Sequence, residues 1–254
     1  MRFEQIEIHE EEFNSSGIDS HGKVFRLSQE SLSFDSNRQQ LNYTKLTPAS
    51  GDESYFYRSS FPKDQIVLHY TLGYLKGDIA SLTQHDYHVS VPFVIGRNGI
   101  IYNLFHSGFW AYHLGPNAIG GNSTRSKRTI GIELSNIGPL NLTDEGMNTY
   151  YTDTYCMTDQ NEAYVQSNFR RFAYYATFTD AQYESLIILL RYLVSRYNIA
   201  PELLSESDRY KSLNDIPSRG GIVSHVNYRR TGKEDIGPAF DWDRVINGVR
   251  AANP

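Results

Sequence analysis

The chain has 254 residues, enough to bury one large core or a core with an extension. It carries 24 basic and 29 acidic residues, a formal charge of −5, which excludes the basic excess of a general nucleic-acid binder. A single cysteine, Cys156, excludes an internal disulfide and a four-thiolate zinc site, so any metal must be held mainly by histidines and carboxylates.

The N-terminal stretch MRFEQIEIHEEEF has acids where a secretory signal needs an apolar core, and no run of 18 apolar residues follows. Synthesis in the cytoplasm and no membrane span are expected. Residues 1–62 are the least regular part. Ile6 and Ile8 alternate with acids, and Val24, Phe25 and Leu27 suit a short strand. Asn14-Ser15-Ser16-Gly17 and Asp35-Ser36-Asn37 break the pattern. This region reads as an N-terminal extension packed on a main domain at 63–254, with a flexible partner-binding arm as the alternative.

Further along, Ile66-Val67-Leu68 predicts a buried strand ending at His69. Asp78 is placed to cap a short helix around residues 79–84. Val89 to Ile95 predicts a strand, Asn98-Gly99 a hairpin turn, and Ile100 to Tyr102 the return strand. Thr129 to Leu134 is another strand. Residues 137–178 lack periodicity and are rich in Tyr, Asn and Thr, which predicts a long loop-like insertion, functional or poorly ordered. Thr179-Asp180 opens a helix whose Leu186, Leu189, Leu190, Leu193 and Val194 share one face. Gly220-Gly221 precedes a strand at Ile222 to His225, and Trp242 to Val249 predicts a final helix. Strands and helices alternate without repeats, so the fold class is α/β, a single domain with a central mixed sheet covered by helices.

Three residues stand at strand ends or in polar loops and carry metal-binding chemistry: His69, His225 and Asp235. Catalytic zinc needs about three such ligands and one open position. A histidine at a strand end is more often a hydrogen-bonded structural residue, so position alone leaves both readings open.

Six blocks change the weighting. Ile66-Val-Leu-His-Tyr-Thr71, Ser90-Val-Pro-Phe-Val-Ile-Gly-Arg-Asn-Gly99, Trp110-Ala-Tyr-His-Leu-Gly115, Ile130-Gly-Ile-Glu-Leu134, Val223-Ser-His225 and Lys233-Glu-Asp-Ile-Gly-Pro-Ala-Phe240 occur in this order. Over residues 63–245 the chain resembles the zinc-dependent N-acetylmuramoyl-L-alanine amidases, which include phage amidase lysozymes, peptidoglycan recognition proteins and anhydro-muropeptide amidases. The resemblance implies a zinc site in a surface groove, with Zn2+ held by His69, His225 and Asp235. Some members have Cys at the last position. Asp-Ile-Gly-Pro here replaces the usual Asp-Pro-Gly, which alters the turn after the ligand. Phage lysozymes carry a catalytic Tyr where this chain has Val91. Other members use a Glu in the strand that Glu133 matches, which implies Glu133 as the proton-transfer group. An acid among Ile130, Ile132 and Leu134 would be partly desolvated, and its pKa raised.

Lys233 lies two residues before Asp235. In a strand-like segment that spacing puts both side chains on one side, and the resemblance implies that Lys233 stabilises the oxyanion. His113 falls in a block that borders the family's substrate groove. Trp110, beside it, is a candidate for substrate contact or for packing. Tyr150 and Tyr151, in the insertion, are expected to line or cover the groove. His85, His88, His106, His9 and His21 read as residues without a functional role, and Cys156 as a buried small side chain.

The function implied is zinc-dependent hydrolysis of the amide between N-acetylmuramic acid and L-alanine. The expected partner is a peptidoglycan or muropeptide substrate, with no nucleic acid, and the chain is expected to be a monomer. The alternatives are a non-catalytic peptidoglycan-binding module, or a wall-binding component of a phage or secretion apparatus. The intact ligand positions favour the enzyme. The expected place of action is the cell wall after release or injection, or cytoplasmic muropeptides.

Overall fold

Ile6 and Ile8 do not alternate in a strand. In the computed structural model, which describes residues 1–35 and 38–251, Ile6–Ser16 form helix α1. Ile6, Glu10 and Phe13 make one buried stripe at helical spacing, Ile8 stays exposed, and Gly17 ends the helix at φ 64°. The Glu10 carboxylate accepts the backbone N–H groups of Arg97 and Asn98, each at 2.8 Å. The acid-rich helix is thereby clamped onto a turn of the main sheet. Phe25–Phe34 (β1) and Gln39–Pro48 (β2) then form an antiparallel hairpin. Of the break at Asp35-Ser36-Asn37, Ser36 and Asn37 lie outside the described residues.

Next in the chain come Gln65–Tyr70 (β3), Leu75–Leu82 (α2), Phe93–Ile95 (β4), Ile101–Asn103 (β5), Asn122–Arg128 (α3) and Thr129–Leu134 (β6). Asp78 does not cap α2. It lies within the helix, and Tyr74 stands at its N-terminus. The expected strand at 89–95 shrinks to three residues, because Pro92 has no N–H to donate and the Ser90 N–H bonds the Tyr112 carbonyl instead. The Asn98-Gly99 turn joins antiparallel β4 and β5 as expected.

The insertion is not a loop. Pro139–Thr143 (β7), Gly146–Asn148 (β8), Thr154–Cys156 (β9), Tyr164–Phe169 (β10) and Phe172–Ala176 (β11) form a separate antiparallel sheet in the order β10-β11-β7-β8-β9. Its strands have three to six residues and incomplete burial alternation, too little for periodicity to register. Leu140, Met147, Tyr155 and buried Cys156 pack with Ile6 of α1.

Asp180–Tyr197 (α4) is the long helix read from its leucines. Thr179 caps it, its hydroxyl accepting the Gln182 N–H. Gly221–Ser224 (β12), His225–Tyr228 (α5) and Trp242–Arg250 (α6) complete the fold. The main sheet has seven strands in the order β1-β2-β5-β4-β6-β3-β12 and mixes parallel and antiparallel pairs, so the α/β reading with a mixed sheet holds. Leu186, Leu189, Leu190 and Leu193 of α4 pack on Ile66, Leu68, Ile130 and Ile132. Each such buried side chain contributes about 1.5–3 kcal/mol.

Candidate active site

Ile66, Leu68 and Tyr70 of β3 face α4, so strand alternation sends Val67 and His69 to the opposite face. Neighbouring β6 runs parallel in a register that pairs His69 with Glu133. The acid therefore stands beside the histidine on the same face. His225 is the first residue after β12, itself paired with β3. Asp235 comes from an irregular loop, tied back by the Val226 N–H, which donates to the Asp235 carbonyl at 2.9 Å.

His69 Nδ1 lies 2.9 Å from His225 Nδ1 and 3.3 Å from Asp235 Oδ2, and His225 Nδ1 lies 2.9 Å from Asp235 Oδ2. All three residues are buried. The protons can be traced. Thr129 Oγ1 donates to the Arg125 carbonyl, so it must accept from His113 Nε2 at 2.7 Å. His113 Nδ1 is then a bare acceptor and takes the proton of His69 Nε2, 3.0 Å away. His225 Nε2 donates to the Leu114 carbonyl at 3.0 Å. Both imidazoles are thus held with Nδ1 bare. Two lone pairs and a carboxylate oxygen converge on one point with no proton between them, and a cation satisfies all three. The residues fit a zinc-type site of two nitrogens and one oxygen.

The electrostatics agree. Burial, then His225, pushes the His69 pKa down to about 4, against the pull of Asp235, so the ring stays neutral near pH 7. Burial alone would raise the Asp235 carboxyl, but His225, His69 and Lys233 beside it together hold it well below the usual range. His113 is pushed well below its ordinary value by burial, then by His69 and His225.

Glu133 is half-buried, and its Oε2 is buried without a hydrogen-bond partner. Burial, then Asp235, raises its pKa well above the ordinary value, with Lys233 opposing. A cavity of about 390 Å³ gathers Glu133, His225, Lys233, Asp235 and His113. Lys233 reaches it from an irregular loop, since no strand forms at 233–235. Val91 lines the same cavity and offers no hydroxyl.

The remaining candidates separate. His113 faces the cavity, but both its ring nitrogens are engaged within the protein. Gly131 makes room for it, because a Cβ there would lie 3.0 Å from His113 Nδ1. Trp110 lines neither this cavity nor its neighbour. It stacks on Tyr57 at 4.3 Å and donates Nε1–H to Ser59. Tyr151 lines the adjoining cavity, and Tyr150 is exposed and packs edge-on against Tyr151. His85 is exposed beside Asp52, and His88 stacks on Tyr57. Sequence reasoning missed Thr129, the Leu114 carbonyl and Lys63. The Lys63 ammonium donates to the carbonyls of Phe109, Lys127 and Thr129, tying the His113 segment to β6. Only a lysine next to an apolar strand hinted at it.

His113→Phe is expected to weaken divalent-metal binding about 10–100-fold, the usual cost of removing an orienting partner. Thr129→Val should do so to a smaller extent. Chelator competition reads the affinity. Unchanged affinity in both variants would mean that the proton relay does not orient His69.

A family model described as N-acetylmuramoyl-L-alanine amidase matches residues 60–238. The chain is 28% identical over 194 residues to the N-acetylmuramoyl-L-alanine amidase AmiD of Escherichia coli (strain K12), which covers 74% of this chain and 54% of that protein. The chain thus spans about half the length of the curated relative it matches. The fold is similar to that of the solved AmiD complex with the substrate anhydro-N-acetylmuramic acid-L-Ala-D-gamma-Glu-L-Lys, at a TM-score of 0.50 and 23% identity, covering 75% of this chain and 59% of that one.

Proposed function

The chain belongs to the N-acetylmuramoyl-L-alanine amidase family, and from that premise we propose that it hydrolyses the amide between the lactyl group of N-acetylmuramic acid and L-alanine. Its substrate class is peptidoglycan or muropeptides released from it. Zinc is the cofactor, with His69 Nδ1, His225 Nδ1 and Asp235 Oδ2 as ligands. The observation that carries this reading is the convergence of those three bare atoms beside Glu133.

When bound, zinc supplies a water of lowered pKa and polarises the amide carbonyl. Glu133, with Oε2 free, accepts a proton from the attacking water and returns it to the leaving alanine nitrogen. Its raised pKa makes the carboxylate a stronger proton acceptor than an ordinary one. The Lys233 ammonium faces the same cavity and holds the negative charge that builds on the carbonyl oxygen. His113 and Thr129 hold the His69 ring in its tautomer, and the Leu114 carbonyl does the same for His225.

Every group used in these steps comes from residues 69–235 of one chain, so the site needs no second copy, and a monomer is the state proposed; Ala252, Asn253 and Pro254 lie outside the described residues. No described helix is long and apolar enough to cross a membrane. Action on the wall after release or injection, or on muropeptides in the cytoplasm, is the reading consistent with this chemistry.

A zinc-assisted amide cleavage has a distinctive product. Digestion of purified sacculi should release new L-alanine amino termini and no new reducing sugars. Glycoside hydrolysis needs a pair of carboxyl groups flanking the sugar centre, and here the acid next to Glu133 is committed to the histidines. New reducing ends would assign the chain to a different chemistry.

A further inference from the structure

Lys63 stands two residues before β3, and its side chain is buried. A lysine this buried is normally paired with an acid. Among the described residues no carboxylate pairs with Lys63, and the neighbouring Asp64 is engaged by Arg125 and Arg128. Instead, the three N–H donors of the ammonium meet the carbonyls of Phe109 at 2.9 Å, Lys127 at 2.9 Å and Thr129 at 3.2 Å. Lys127 lies in the last turn of α3, where carbonyls lack partners within the helix and a cation is favoured.

We propose that Lys63 is a positioning residue for the metal site: its ammonium fixes the His113 segment against the start of β6, and that spacing decides which nitrogen of His69 is bare. The proposal rests on the zinc site of the amidase reading. His113 and Thr129 belong to segments with few other polar ties. The pairing partners of β6 are β3 and β4. Among the described residues no backbone hydrogen bond links 109–114 to 127–131, and the His113 N–H reaches Ser126 Oγ only at 3.4 Å. Lys63 bonds carbonyls on both sides of this seam, Phe109 on one and Lys127 and Thr129 on the other.

The consequence for His69 follows from the positions of the protons. The His113 ring spans the seam, with Nε2 2.7 Å from Thr129 Oγ1 and Nδ1 3.0 Å from His69 Nε2. An imidazole is rigid, so a shift of about 0.5–1 Å between the two segments stretches one of these bonds past useful length. Once the bond to Thr129 is lost, the His113 proton is free to occupy Nδ1. There it points at His69 Nε2 and makes that nitrogen an acceptor. The His69 proton must then sit on Nδ1, the atom that faces His225 and Asp235, and it closes the metal position. Lys63 lines neither cavity, so it acts through His113 and not on substrate.

Lys63→Met keeps a long unbranched side chain without its donors. Zinc affinity, read by chelator competition, is measured in a double-mutant cycle with His113→Phe. Lys63→Met alone should weaken zinc binding about tenfold, the lower end of the range for a group that orients a ligand. In the His113→Phe background the same substitution should cost nothing further, because the route to His69 is already cut. Imidazole nitrogen NMR of the metal-free protein gives a second readout. The His69 proton should sit on Nε2 in the parent and partly on Nδ1 in Lys63→Met. Lys63→Gln, which keeps an N–H donor group, should lose less affinity, and it replaces Lys63→Met in the cycle if that variant shows no cooperative thermal unfolding. An equal loss in both backgrounds would mean general loosening and would overturn the proposal. So would an unchanged zinc affinity, or a His69 proton that stays wholly on Nε2. These outcomes leave the amidase reading intact, since that reading is decided by the products the parent releases from sacculi. A parent that binds no zinc removes the metal site, and this proposal falls with it.

Discussion

Removing the metal is expected to abolish activity, and His225→Ala is expected to do so irreversibly. Chelation should leave a folded protein whose activity returns with one zinc per chain, since the two imidazoles remain positioned by the Leu114 carbonyl and by His113. His225→Ala removes a ligand and also leaves the Asp235 carboxylate buried without its 2.9 Å partner. Loss of an orienting group already costs about 10–100-fold in metal affinity, so loss of a ligand should cost more than about 100-fold, and added zinc should not rescue turnover. His85→Ala and His88→Ala, neither of which lines the cavity, should keep parental activity. Full activity in metal-free protein, or a working His225→Ala enzyme, would remove the basis of the mechanism.

This prediction has a pH counterpart. His69 is held neutral, its pKa lowered from 6.5 to about 4. In the unfolded chain it takes a proton more readily than in the fold. The stability linked to it is therefore present above pH 6.5 and is lost as pH falls from 6.5 toward about 4. Protons also compete with the metal for both Nδ1 lone pairs. Zinc affinity and the thermal midpoint of the metal-free protein should both decline over that window. A flat profile would mean that His69 is not buried and neutral.

Glu133→Gln is expected to lower kcat by about 100-fold or more while the zinc content stays at one per chain, the scale of loss for a proton-transfer group. Glutamine keeps the shape and a hydrogen-bonding tip but cannot take the proton of the attacking water. The same substitution should stabilise the metal-free protein at alkaline pH. The Glu133 pKa is raised in the fold, chiefly by burial, so the fold favours its protonated form. That contribution is present at low pH and is lost as pH rises through the raised value. At alkaline pH the parent must either bury a charge or hold a proton that the unfolded chain has lost, and glutamine removes that cost. The midpoint should rise by roughly 2 °C or more at pH 8, and the gain should shrink toward pH 4. A near-parental kcat would assign proton transfer to another group. A lower midpoint at pH 8 would show that the ionised carboxylate is well accommodated.

Much of this architecture can be read from the chain alone, and the reason is local. Gln65–Tyr70 and Thr129–Leu134 are apolar runs flanked by polar turns, and burial on both faces leaves no other pattern for a central parallel strand. Thr179 with Gln182 caps α4, and the leucines at helical spacing continue it. His69 and Glu133 fall at the same level in two such strands, so their pairing needs only the register of parallel neighbours.

The tertiary structure decided what depends on partners far away in sequence. Ile6 and Ile8 alternate with acids as in a strand, yet Ile6–Ser16 is a helix, held where Glu10 finds two backbone N–H groups 87 and 88 residues away. Asp78 resembles a helix cap, yet it lies buried under Ser135, a partner that the local sequence cannot reveal. The short strands of the second sheet gain their stability from pairing and from the core they share with α1, not from periodicity. Most of all, the sequence names His69, His113, His225 and Asp235 only as residue types. Their protonation follows from Thr129 donating to the Arg125 carbonyl, which leaves it only an acceptor's role toward His113 and leaves two bare nitrogens facing one carboxylate oxygen. A side chain's chemistry is written in the sequence, but the position of its proton is set by neighbours that only folding brings within hydrogen-bonding distance.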